Sequence, residues 1–243
     1  MEIPSRTATL ASHLGVAGLL AVALGPLAIQ AGLIPAFAGF VVFALGGLCG
    51  LLALVLGSIG LWRTRAAAGR EGRGRALRGA LCGVAILAVV AHAASAGRGL
   101  PRINDITTNP DDPPVFTHAA QLPGNAGRDL AYPGANFTGQ QRAAYPDLET
   151  IRIESAPAEA FQRSLAVAEA LGWEVTWSDP PSGVFEATQT SRIFRFVDDI
   201  VVRLRADGSA TLVDVRSKSR VGQGDLGANA NRIRAFREKI TAP

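Results

Sequence analysis

The chain has 243 residues and a formal net charge of +4, unevenly placed: residues 1–97 hold seven Arg against two Glu, and residues 98–243 hold 17 Lys/Arg against 18 Asp/Glu. The second part therefore has no overall basic field with which to hold a nucleic-acid backbone, and no nucleic-acid partner is expected. Both cysteines, Cys49 and Cys82, fall in apolar runs, so the second part has no internal disulfide and no thiolate metal site.

Residues 1–97 read as an α-helical membrane anchor with three spans, about Leu14–Ile34, Phe37–Leu61 and Ala80–Ala96. Roughly 20 apolar residues cross a ~30 Å hydrocarbon layer as a helix, so the first two qualify easily and the short, Ala-rich third is marginal. Ile34-Pro35 leaves only a tight turn between the first two, which predicts an antiparallel hairpin. Ala36-Phe37-Ala38 has the look of a signal-peptide cleavage site, but the preceding apolar run is too long and a second span starts inside it, so the segment is read as retained. Small residues recur at helical spacing: Gly18, Ala21, Gly25, Ala28 and Gly32, then Gly46, Gly50, Ala53, Gly57 and Gly60, then Gly79 and Gly83. Such stripes let helix backbones approach closely, and packing among the three spans is the expected use. His13, Gln30 and His92 are the notable polar side chains, and no acid or base within the spans could relay with them, so a transport path is not expected.

The loop 63–78 holds Arg63, Arg65, Arg70, Arg73, Arg75 and Arg78 against Glu71 alone. Such a loop is retained in the cytoplasm. The expected location is a bacterial inner membrane, multi-pass, with the lipid bilayer as first partner, the N-terminus cytoplasmic and residues 98–243 periplasmic. The last point reverses if Ala80–Ala96 does not span.

Residues 98–150 are rich in proline and lack periodicity, and read as an extended segment belonging to the soluble domain. Within it, the run Thr107-Thr108-Asn109-Pro110-Asp111-Asp112-Pro113-Pro114 is dense in turn formers. Asp111 and Asp112 lack the further oxygen ligands of a calcium loop, so no metal site is expected. Asn136-Phe137-Thr138 is a glycosylation sequon only where the machinery exists.

From Thr150 the pattern sharpens. Ile151 and Ile153 alternate with Arg152 and Glu154 as a short strand, Pro157 can open a helix with Phe161, Leu165, Ala168 and Leu171 on one face, and Gly172 can end it. Strands follow over Trp173–Trp177 and Val184–Thr190, and Asp198-Asp199 reads as a bend. Ile200–Arg205, the turn Asp207-Gly208 and Ala210–Ser219 form a hairpin, with Val213 and Val215 on one face and Asp214, Arg216 and Lys218 on the other. A last helix is expected from an N-cap at Asp225, with Leu226, Ala230, Ile233, Phe236 and Ile240 as its apolar stripe. The predicted fold class is a membrane α-helical N-terminal region plus an α+β soluble domain, an antiparallel sheet with two helices packed on one face.

The run Arg216–Ile233 is the most chemically specific outside the membrane part. Basic side chains meet a glycine turn at the start of a helix, which has the parts of an anion site. The candidate ligand-binding set is Arg216, Lys218, Arg220, Gly222, Gly224, Asp225, Asn229 and Arg232. Against it, Asp225 competes for the helix N–H groups, and the phosphate-loop pattern G-x-x-x-x-G-K-S/T is absent. The structural alternative pairs Arg216 and Lys218 with Asp214, Glu186 or Asp198. No cofactor is expected, and no catalytic residue is assigned: there is no G-x-S-x-G and no H-E-x-x-H.

The segments TTNPDDPPVF, VFEATQTSRIFRFVDDIVVRLR and VDVRSKSRVGQGDLGANANRIRAF resemble a family catalogued only as a domain of unknown function, found in bacterial envelope proteins, often behind N-terminal membrane helices, and in plastid proteins. The resemblance covers about residues 100–240 and implies domain extent and envelope location, not chemistry. Three readings stay open. The first is a membrane-anchored, non-catalytic module that binds a protein partner or an anionic or lipid ligand. The second is an envelope enzyme clamping an anionic or lipid substrate with Arg216 and Arg220. The third is a structural subunit of a membrane complex.

Overall fold

A computed structural model describes residues 3–65 and 70–242, which divide into two compact units. The first contains β1 (Ile3–Pro4), α1 (Arg6–Gln30), α2 (Ala36–Arg63), β2 (Arg70–Glu71) and α3 (Arg73–Ser95). Residues 66–69 of the arginine-rich loop lie outside the described residues. All three helices are long and apolar enough to cross a membrane.

Ser5 accepts the Ala8 N–H to cap α1. At the other end Gly32, with φ +70°, lets its own N–H reach Ile29 O and that of Leu33 reach Ala28 O. Gly32 thus ends α1 and is exposed; it does not belong to the packing stripe. The other glycines of the three stripes are buried against neighbouring helices. A Cβ on Gly79 would fall 2.6 Å from the Ala11 backbone, and one on Gly83 would fall 2.6 Å from Gly50 O. The stripes are used up in packing the three helices on one another. α3 begins at Arg73, earlier than the apolar pattern indicates, because Arg and Ala are good helix formers whether or not the residue is in lipid. Arg192–Arg195 group with these helices, Phe194 lying edge-on to Phe40 and Phe43.

The second unit runs β3 (Asp105–Thr107), two short 3-10 turns (Ala119–Gln121 and Pro123–Asn125), α4 (Ala135–Ala144), β4 (Ile151–Ile153), α5 (Pro157–Ala170), β5 (Glu174–Asp179), β6 (Val184–Thr190), β7 (Val197–Asp207), β8 (Ala210–Ser219) and α6 (Ala228–Thr241). One antiparallel sheet has the order β3-β8-β7-β6-β5, and β4 pairs with the stretch of β8 that β3 leaves open. This is the α+β architecture expected from the alternation.

The two faces of the sheet differ in kind. Phe185, Ala187, Ile200, Val202, Leu204, Val213 and Val215 point to one face, where α5 supplies Ala160, Phe161 and Ala168, and α6 supplies Ala230, Ile233, Phe236 and Ile240. Trp173 stacks on Phe236 with centroids 5.1 Å apart. The other face carries Glu186, Asp199, Arg203, Asp214, Arg216 and Lys218, and the Pro-rich segment covers it with Phe116, Ala119, Leu122 and Leu130 packed around Val201.

Three sequence expectations change in this unit, the first being that residues 98–150, read as extended, contain the helix α4. Asp198 and Asp199 form no bend: they sit within β7, opposite Ser219 and Lys218 of β8, and the chain turns earlier, between Ser191 and Phe196. A pair of adjacent acids is a poor strand signal because β propensity disfavours Asp, but each here meets a cation. Leu226 is off the α6 stripe. It precedes the helix with φ +55° and is exposed, because α6 starts at Ala228 after Gly227.

Candidate functional site

The alternation of β8 sends the candidate residues to opposite faces of the sheet. Arg216 and Lys218 lie under the Pro-rich segment, while Ser217 and Ser219 face α6. Arg216 is 1% exposed. Its Nε and Nη2 each donate to Asp105 at 2.8 Å, Nη1 donates to Pro114 O at 3.0 Å, and Nη2 also reaches Leu130 O at 2.7 Å. The guanidinium lies 4.7 Å from the Phe116 ring centroid and 5.5 Å from that of Tyr132. Lys218 completes the triad, its Nζ 2.8 Å from Asp105. The partner of both cations is therefore Asp105, opposite Lys218 on β3, and not Asp214, Glu186 or Asp198.

The remaining acids are each engaged by other groups. Asp199 accepts from Arg220 at 2.6 Å and from Asn125 at 3.0 Å, with Arg128 at 3.5 Å. Asp214 accepts from Arg203 and Arg205, both at 2.8 Å, and from Thr150 at 2.6 Å. Glu186, fully buried, is held by N–H groups: those of Thr117, His118 and Ala119 lie 2.6, 2.9 and 2.6 Å from its oxygens, and the Thr117 hydroxyl lies at 2.9 Å. The start of the first 3-10 turn thus cradles a carboxylate of the protein itself.

Asn229 and Arg232 belong to the helix side. Asn229 donates to Ser219 Oγ and Asn104 O, and accepts from Ser217 Oγ at 2.7 Å. Arg232 pairs with Asp198 at 2.6 Å and donates to Gln189. Asp225 takes the Gly227 and Asn229 N–H groups at 2.9 and 2.7 Å, so it caps α6 from outside the helix. Burial pushes its carboxyl up from the usual range, against those N–H bonds. Gly222, at φ +88°, turns the chain and offers its carbonyl to Asn104, and Gly224 lies close to the Arg102 backbone. The eight candidates are neighbours in sequence, but the sheet separates their side chains.

Proline-run residues take structural parts that the sequence did not assign. Thr107 exchanges backbone bonds with the buried Gln141 side chain, and Thr108 extends the pairing to Val215. Asp112 pairs with Arg203 and Asp111 with Arg142. Among the described residues no group of three or more His, Cys, Asp or Glu could hold a metal.

Asp214 gives this layer a pH signature. Burial alone would raise its pKa, but the hydrogen bonds from Thr150 and Arg203 and the charges of Arg205 and Arg203 hold it below the usual carboxylate range. A depressed folded-state pKa adds stability that is complete above the unfolded aspartate value of about 3.9 and is lost as pH falls through the folded value. Unfolding midpoints measured from neutral pH downwards should therefore drop below about pH 4, and more shallowly in Asp214→Asn, which cannot be protonated. An identical acid limb in the two proteins would mean that Asp214 does not set it.

A family model described as a protein of unknown function (DUF1499) matches residues 105–240. A search of the curated proteins finds no match.

Proposed function

The chain belongs to the DUF1499 family of proteins of unknown function, and from that premise we propose that it is a membrane-anchored envelope protein whose α+β domain is a non-catalytic, protein-binding module on the periplasmic side. The observation that carries this reading is the internal commitment of the charged residues. Arg216, Lys218, Arg220 and Arg232 each hold a buried carboxylate, so the most specific part of the sequence serves as scaffold. An enzyme clamping an anion with Arg216 and Arg220 gains no support from a guanidinium that is 1% exposed.

What the domain does offer a partner is an open groove of about 430 Å³ between the start of α5 and the β5–β6 turn, walled by Pro157, Ala158, Phe161, Pro180, Pro181 and Leu204. It lies beside the end of β5, the edge strand of the sheet. A proline-walled groove of mixed polarity, with Gln162 and Ser182 also in its lining, next to a strand edge suits an extended peptide segment of another protein. The six arginines of residues 63–78, from the end of α2 into the first turns of α3, support the outward placement by the positive-inside rule.

Affinity purification of the full-length protein from its own membranes tests this. A protein recovered in fixed ratio should be lost from Ala158→Arg, with the thermal midpoint unchanged. Equal recovery from both proteins would rule out the groove as the contact.

A further inference from the structure

We infer that the membrane unit carries a site for an anionic phospholipid, at a groove between α1 and α3. The groove, of about 310 Å³, is lined by Arg75, Arg78 and His13 and by the apolar side chains Val16 and Leu20. Arg75 and Arg78 stand three residues apart on α3, so they present to one face. Arg75 makes a long bond of 3.4 Å to the Thr9 hydroxyl. Among the described residues, neither arginine pairs with a carboxylate.

This differs from the arginines of the α+β domain, where Arg216, Arg220 and Arg232 each meet an acid. Topology alone asks only that positive charge be present in the loop and does not ask for a concave site. Here two uncompensated guanidinium groups face one groove, and that groove continues onto Val16 and Leu20, which are 43% and 54% exposed on a helix apolar enough to span. The chemistry that matches both parts is a phosphodiester headgroup under the arginines with an acyl chain along the apolar wall. A free phosphate would satisfy only the first part.

The test uses full-length protein, delipidated in detergent and titrated with phosphatidylglycerol or phosphatidylcholine in mixed micelles. Phosphatidylglycerol should bind and phosphatidylcholine should not. Arg75→Gln/Arg78→Gln should weaken binding roughly thirtyfold. Arg75→Lys/Arg78→Lys should keep most of the affinity, as should Arg70→Gln/Arg73→Gln, which removes the same charge outside the groove. Equal losses in the two Gln pairs would reduce the effect to general surface charge and overturn the site. Equal binding of the two lipids, or displacement by excess inorganic phosphate, would overturn the lipid assignment.

Discussion

Asp105→Ala should strongly destabilise the α+β domain, lowering unfolding free energy by about 3–5 kcal/mol. Asp105 is fully buried and is the carboxylate partner of both Arg216 and Lys218. Removing it leaves Arg216 among Phe116, Tyr132 and the carbonyls of Pro114 and Leu130, and Lys218 beside Ala131 O, both without that counter-charge. Taking both cations away as well should recover most of the loss, since an apolar set of similar volume forgoes the desolvation of all three charges. Denaturant titration of the full-length protein in detergent checks both statements. An Asp105→Ala variant as stable as the parent would mean that the ion triad contributes nothing.

Phe236→Ala should destabilise by about 3–5 kcal/mol through a different cause, an unfilled cavity. Phe236 is fully buried at the centre of α6, stacked on Trp173 over the apolar face of the sheet. Its removal orphans no charge, so Phe236→Leu should restore a large part of the stability by refilling most of the cavity that Ala leaves. No comparable conservative rescue exists at Asp105: Asp105→Asn keeps the shape and loses the charge that two cations need. Unfolding midpoints of the three variants separate the cases. Equal deficits for Phe236→Leu and Phe236→Ala would contradict the packing explanation.

That contrast explains what could be read from the sequence. The apolar face repeats with the period of strands and helices, so β8, α5 and the α6 positions Ala230, Ile233, Phe236 and Ile240 are legible. The polar face follows no period. Asp105 precedes its partner Arg216 by 111 residues and stands in a proline-rich stretch, where no spacing rule links the two. Glu186 is held by backbone N–H groups of a turn that has no composition signal. Sequence proximity also misled at the glycine run. It placed Arg216, Lys218, Asn229 and Arg232 in one site, whereas strand alternation sends the first two under the Pro-rich segment and joins the others to Ser217 and Asp198.

In the proposed reading the charged layer is scaffold and the groove beside α5 is the contact surface. The triple replacement Asp105→Leu/Arg216→Met/Lys218→Met measures this most directly, with stability and co-purified protein read on the same preparation. The prediction is a folded protein that keeps the partner lost from Ala158→Arg. A folded triple variant that loses its partner, beside an Ala158→Arg variant that keeps it, would return the function to the arginine run.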